Sequence, residues 1–405
     1  MELKLSKSRT VLYLAALFLT NVAFMADQVL VPALSDIYDA FPGQVNLVNF
    51  VSSGPALIAI FSSLLCAKLM QHQSKKTILV WVYGLFTVAS IAGVAVVNIY
   101  YMMAMRAVVG FCYGITNVAA IAMLAQSYDD DKSRSTMIGV YNAFMAIIGA
   151  LMGLAAGYFA AISWKSVFFV YWISVPIWIL IVLFVPKTPV DKPQNEEEAA
   201  ASAKEKINPR TMIPLCLSFL VINSIYCVVF YQVSLYVTQQ NIGGPSVTGV
   251  LSAVGTVGSA VAGLMFGLTN RWLKRGAIIP SYALLAACYM ILLVAPNLPA
   301  TITSCTVMGF AFGNSYSYFY NRYTVIVPPS KIPLSMSIYS AVNGVGMFIA
   351  TYLSTGLEYI LHVNTLIGVI PVFITVMAVG CVLSVIMTIR EKKHPSAYDP
   401  NANAM

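Results

Sequence analysis

Ala67-Lys68-Leu69-Met70-Gln71-His72-Gln73-Ser74-Lys75-Lys76 returns 199 residues later as Phe266-Gly267-Leu268-Thr269-Asn270-Arg271-Trp272-Leu273-Lys274-Arg275. Both are short basic loops between long apolar runs. The same offset carries Gly110 and Gly114 onto Gly309 and Gly313. A near match follows: Tyr141-Asn142-Ala143 corresponds to Tyr339-Ser340-Ala341 at an offset of 198, one residue of loop drift. The chain is therefore an internal duplication, and each half carries a basic hinge after its second apolar run.

Working outward, the runs number twelve: about 11–33, 46–68, 78–97, 100–126, 135–161, 166–186, 211–237, 247–268, 277–295, 299–326, 334–360 and 365–389. Each is long enough to cross a ~30 Å hydrocarbon core as a helix. Only 9% of the 405 residues are charged and 59% are hydrophobic, against ~25% charged in an ordinary soluble domain. The expected fold is an all-α membrane protein of twelve transmembrane helices, arranged as two pseudo-symmetric six-helix bundles. The bundles are 1–186 and 211–405, the second with a short cytoplasmic tail. The stretch 187–210 is a charged cytoplasmic linker whose Ala-rich middle suits a surface helix. Each half has an even number of spans and starts on the same side, so the repeats are parallel and a substrate site is expected between them.

The net charge of +8 suggests a polyanionic partner, but the placement of the charges removes it. With the N-terminus inside, all but two of the 23 Lys and Arg residues fall on cytoplasmic segments. The exceptions are Lys165 and Arg106. This is the positive-inside pattern, with both termini cytoplasmic in a plasma (inner) membrane and no nucleic-acid partner. The first span is too long for a signal-peptide core and reads as retained. The seven cysteines lie in apolar runs without metal-ligand spacing and read as buried hydrophobes. No paired His/Glu metal motif, phosphate-binding Gly loop or Ser/His/Asp set occurs, so neither an enzyme nor a cofactor nor a metal is expected.

The loop and one span carry a family resemblance. The first loop, continued through Thr77-Ile78-Leu79, is similar to the signature G-x-L-A-D-R-x-G-R-K-x-x-L of the major facilitator superfamily. Leu69, the basic pair and Leu79 match; Gln71 stands where the family has Asp, and Ala67 and Ser74 replace glycines. Arg106-Ala107-Val108-Val109-Gly110 matches the family's span-4 pattern. Gly149, Gly153 and Gly157, followed by Trp164, look like its antiporter motif, although Leu154 and Tyr158 stand where a proline is expected. The resemblance implies a secondary transporter working by alternating access. Asp27 and Pro32 in span 1 with Arg106 in span 4 look like the drug:proton antiporter branch.

The residues point the same way. A carboxylate inside a membrane costs several kcal/mol unless it is paired, solvated or protonated. Asp27 is read as a proton site or a counter-ion for a cationic substrate, or else as half of a structural pair with Arg106 or a helix-end carboxylate near the outer interface. Arg106 begins a stripe with Gly110, Tyr113 and Asn117 on one helix face. It would keep Asp27 ionised until substrate or a conformational change separates them, or else it would clamp a substrate carboxylate. Span 10, with Asn314, Tyr316 and Tyr320, is too rich in amides and phenols for lipid and suits a wet cavity wall. Asn142, Asn223, Tyr226, Tyr339 and Asn343 could join it. Arg322 is placed at the inner end of span 10, snorkelling to the surface. Glu358, beside His362, is placed in the outer headgroup zone.

The expected function is proton-coupled export of small amphipathic or cationic compounds. A carrier of an organic anion or small metabolite is the alternative, and a transporter-like receptor or sensor is the alternative of another class. The expected partners are a small-molecule substrate, protons and the lipid bilayer. One chain supplies both halves of a pathway, so a monomer is expected.

Overall fold

The computed structural model describes residues 7–128, 131–188, 190, 207–328 and 331–393. The Ala-rich middle of the linker lies outside the described residues. Among those described, every regular element is helical. In chain order these are α1 (Lys7–Leu19), α2 (Asn21–Phe24), α3 (Ala26–Leu30), α4 (Leu34–Ala40), α5 (Val45–Met70), α6 (Lys75–Ala92), α7 (Ile99–Gln126), α8 (Asp131–Ala160) and α9 (Ser174–Phe184). The second half gives α10 (Pro209–Gln239), α11 (Pro245–Leu273), α12 (Ile279–Val294), α13 (Leu298–Val325), α14 (Ile332–Leu361) and α15 (Leu366–Lys393). Short 3-10 segments extend α9 and α12 at their N-terminal ends, Ser166–Ile173 and Lys274–Ile278.

Ten of these helices are long and apolar enough to cross a membrane, and the bent run from α1 through α4 makes an eleventh. The twelfth is α13. It is a continuous helix of 28 residues, but its Asn, Ser and Tyr content keeps it out of the apolar set. Side chains such as Leu264, Trp81, Trp272 and Leu183 are exposed on outer faces, where hydrocarbon rather than water is the natural solvent. The molecule is a multi-pass membrane protein.

The duplication is visible in the elements. α7 and α13 are both 28 residues long and begin 199 residues apart. Both are capped by an Asn at the same offset. The Asn98 side chain accepts from the Tyr100 and Tyr101 amides at 2.9 and 3.3 Å, and Asn297 accepts from the Ala300 amide at 3.0 Å. The glycine seams repeat as well. A Cβ on Gly110 would stand 2.5 Å from Pro55 O, and one on Gly114 would stand 2.6 Å from Ala59 O. In the second half Gly309 and Gly313 face Gly255 O and Ser259 O in the same way. These positions admit only glycine because α7 lies backbone-to-backbone on α5, and α13 on α11.

The chain divides into two compact units. The first holds Met1–Pro193 together with Val233–Thr238 and Gly243–Ala253; the second holds Gln194–Gln232, Gln239–Ile242 and Val254–Met405. Inside the first unit, Gly157 and Gly249 meet so closely that a Cβ on Gly157 would stand 2.8 Å from Gly249 Cα. Gln28 donates to Ser252 O at 3.3 Å, and Ser234 donates to Pro32 O at 3.2 Å.

The first span is a broken helix that bends by 50° between Phe24 and Ala26. The ladder tightens from i−4 to i−3 bonds around the bend: Thr20 N to Leu17 O, Ala23 N to Thr20 O, and Gln28 N to Met25 O. Further on, Pro32 has no N–H to give and lies in a 3-10 turn, Val31–Ala33. The bend sets Asp27 just beyond the break. One correction concerns Arg322, which is buried on α13 rather than extended to the surface. Glu358 is half-buried, and α14 ends at the exposed His362 in a left-handed conformation, φ 54°.

Candidate functional site: a buried ion pair and an aromatic block

In the first unit, Asp27 on α3 and Arg106 on α7 form an ion pair, both side chains buried. Arg106 also donates through Nε to the Val51 carbonyl on α5, at 2.8 Å. One guanidinium thus ties together three helices. The Tyr171 hydroxyl donates to Ala26 O at 2.7 Å, at the break beside Asp27. Tyr113, two turns along the same face of α7, packs edge-on against Phe24 with ring centres 5.8 Å apart. The arrangement follows from the cost of charge in hydrocarbon: each ion is tolerable only with its partner beside it.

Asn117 is half-buried further along α7. Asn142 on α8 is exposed, and its direction can be worked out. The exposed apolar side chains of α8 are Val140, Ile147, Leu151, Leu154 and Tyr158. At 100° per residue Asn142 lies roughly 150° around the helix from the middle of that stripe. It therefore faces away from the lipid-type surface, on the side of Gly149 and Gly153.

The second unit holds a different arrangement. Tyr226 on α10 stacks on Phe312 of α13, with centroids 4.0 Å apart and planes within 5°. Tyr339 on α14 stacks on Phe219 at 4.8 Å and meets Tyr316, Tyr320 and Tyr323 edge-on. Its hydroxyl donates to Tyr316 O at 3.2 Å. The block is packed ring on ring, so most ring faces already have an occupant. Tyr320 is the exception, 52% exposed. Two of the expected amides are likewise engaged within the bundle. Asn223 donates to Asn343 O at 2.8 Å, and Asn314 donates to Ala277 O at 2.7 Å and to Ser281 Oγ at 2.9 Å. Asn343 is half-buried and directs its own amide to Met347 Sδ at 3.8 Å.

Several contributors escaped the sequence reading: Tyr171, the Val51 carbonyl, Phe219 and Phe312. The repeat contained a signal for one of them. At the offset of 199, Tyr113 falls on Phe312, Asp27 on Tyr226 and Arg106 on Cys305. Where one unit has an ion pair beside a tyrosine, the other has stacked rings and a thiol. Among the described residues no group of three or more His, Cys, Asp or Glu could hold a metal ion.

Comparison with known proteins agrees with this architecture. The solved nucleoside transporter NupG superposes with a TM-score of 0.78 at 11% identity, covering 94% of this chain and 99% of that one. A D-xylose–proton symporter superposes with a TM-score of 0.73 at 13% identity, covering 98% and 99%. At such identities the likeness is one of fold. A methylenomycin A resistance protein of Bacillus subtilis (strain 168) is 28% identical over 148 residues, 36% of this chain; the match spans about a third, 31%, of that protein's length. The family model of the Major Facilitator Superfamily matches residues 16–351, and the chain belongs to that superfamily of membrane transporters.

Proposed function

We propose that this protein is a secondary active transporter that exports small amphipathic or cationic compounds in exchange for protons. The observation that carries the reading is the buried Asp27–Arg106 pair. Arg106 is already committed to Asp27 and to the Val51 carbonyl. A guanidinium so engaged is poorly placed to clamp a substrate carboxylate, which weakens the organic-anion alternative. Asp27 is the group whose charge can be cancelled reversibly. A proton on its carboxyl and a cation beside its carboxylate are mutually exclusive, and that exclusion is the elementary condition for exchanging one for the other. The Bacillus subtilis relative, a resistance protein by name, supports the same direction.

In the first unit Asp27 and Arg106 are assigned to coupling, with Tyr113, Asn117 and Asn142 as further substrate contacts. In the second unit, taken by itself, the assigned substrate contacts are Tyr226, Tyr316, Tyr320, Tyr339, Asn223, Asn314 and Asn343. Asn223 and Asn314 would act by fixing helices, since their amides are bonded within the bundle. Tyr320 is the ring best placed to meet a ligand. We read both termini as cytoplasmic, in a plasma membrane, an orientation that the positive-inside pattern supports.

The test is thermal unfolding of the purified protein against lipophilic cations and carboxylates, because a ligand that binds only the folded state raises the midpoint. Stabilisation by cations that disappears in Asp27→Asn is the expected result. Stabilisation by carboxylates that survives Asp27→Asn and is lost when Arg106 is changed would instead make the protein an organic-anion carrier.

A further inference from the structure

The interior of the first unit carries polar groups that the ion pair does not use. Tyr13, Thr20 and Asp27 follow one another at seven-residue spacing along the first span, about 10 Å for the helical step from Tyr13 to Thr20, the second step crossing the bend. Each makes a polar contact across the bundle. Tyr13 shares a hydrogen bond with Ser127 at 2.9 Å, Thr20 with Tyr141 at 3.4 Å, and Asp27 with Arg106. Single hydrogen bonds reach ~3 Å, so a proton passing between levels needs water in between.

Polar groups free to hold water exist at the middle level. Asn21 Oδ1, Tyr83 Oη and Thr116 Oγ1 are buried and have no hydrogen-bond partner among the described residues. They come from three helices, α2, α6 and α7. Asn21 directs its amide to Tyr141 O at 3.4 Å, at the level of the Thr20–Tyr141 contact, and Tyr83 sits midway along the 18 residues of α6. Thr116 falls between Arg106 and Ser127 on α7, as Thr20 falls between Asp27 and Tyr13 on the antiparallel first span. One unpaired buried oxygen is an accident of packing. Two hydroxyls and an amide oxygen from three helices of one unit are more than that, and each costs ~1–3 kcal/mol if nothing bonds to it. Water, which bonds to two to four polar partners, is the ligand that would satisfy them.

We propose that Asn21, Tyr83 and Thr116 bind water and that this water, with the Thr20 and Tyr141 hydroxyls, relays protons between Asp27 and the basic-loop face at Tyr13 and Ser127. In each hop an oxygen accepts a proton and passes on its own, so every O–H broken is matched by one formed. One proton leaves the Asp27 carboxyl and one reaches bulk water beyond Ser127. Asn21 orients the water and transfers nothing. The relay keeps the proton's route inside the first unit, apart from any substrate.

The proposal rests on Asp27 as the proton site, and the experiment separates the two. Purified protein is subjected to a stopped-flow pH jump, and the infrared band of the protonated carboxyl is followed in time; Asp27→Asn identifies its share of the band. Tyr83→Phe and Thr116→Val each remove one hydroxyl with little change of shape. Each is expected to slow the Asp27 band by about tenfold, which corresponds to ~1.4 kcal/mol on one hop, with the titration midpoint unchanged. If Asp27→Asn removes no band, the reading of Asp27 as proton site fails. If the band is present and both variants protonate it at the wild-type rate, the relay is refuted. A purely structural role would move the unfolding midpoint and leave the rate alone.

Discussion

Asp27 and Arg106 should behave as one unit of stability, and a double-mutant cycle measures this. Both side chains are buried, and Arg106 keeps a second bond to Val51 O when Asp27 is changed. Removing one partner of a buried pair leaves an uncompensated charge and costs ~3–5 kcal/mol. The surviving bond to Val51 O argues for the lower end with Asp27→Leu, about 3 kcal/mol, and Arg106→Met should cost a similar amount by stranding the carboxylate. Removing both leaves no buried charge, so the double variant should lose far less than the sum, with a coupling energy of ~2–3 kcal/mol. At ~2–4 °C per kcal/mol for a unit of this size, each single change should lower the unfolding midpoint by roughly 6–12 °C, and the double should recover much of that. The assay is thermal unfolding of the four purified proteins in one detergent. Strictly additive losses, or single losses near zero, would show that the two charges do not depend on each other.

Three further outcomes follow from the geometry. Arg106→Lys keeps the charge but cannot fork between Asp27 and Val51 O, so uphill transport should fall; wild-type rates would make Arg106 a merely structural charge. Gly309→Ala drives a methyl into the Gly255 carbonyl and should destabilise by ~1–3 kcal/mol, whereas Gly267→Ala, with nothing within 4 Å of the new Cβ, should be neutral or slightly stabilising. Thermal midpoints of the two variants check the contrast, and equal effects would refute the seam. Tyr339→Ala empties the centre of the ring block and should cost ~3–5 kcal/mol, while Tyr320→Ala should stay within ~1 kcal/mol and instead reduce the midpoint shift produced by a bound lipophilic cation.

The twelve spans were legible because hydrocarbon demands long apolar runs, and the offset of 199 was legible because a repeat preserves loop chemistry. The bend after Phe24 was not, since it resides in backbone hydrogen bonding that no residue near Met25 announces. The Asp27–Arg106 pairing could be read because an intramembrane charge requires an opposite one. Val51 could not be read because it contributes a carbonyl, which every residue has. Asn223 and Asn314 show the limit for side chains. Their polarity said that they need partners; only the rotation of α10 and α13 decides that the partners are Asn343 O, Ala277 O and Ser281 rather than a ligand. Arg322 was misplaced for the same reason, because position near a helix end was taken for access to the surface.

The repeat then explains why the units differ. A duplicated ancestor supplies the same helix positions twice, and the small-residue seams at Gly110 and Gly309 show that the scaffold tolerates little change there. The positions for chemistry are freer. At those equivalent to Asp27 and Arg106 the second unit carries Tyr226 and Cys305, which need no counter-ion, and Tyr226 stacks on Phe312. A charge that must be paired and unpaired during a cycle strains whatever holds it. Confining it to one unit leaves the other to pack ring on ring without a buried charge. If Asp27 exchanges a proton, protonation alters the forces within the first unit, where the bent first span, α5 and α7 are tied together by Arg106.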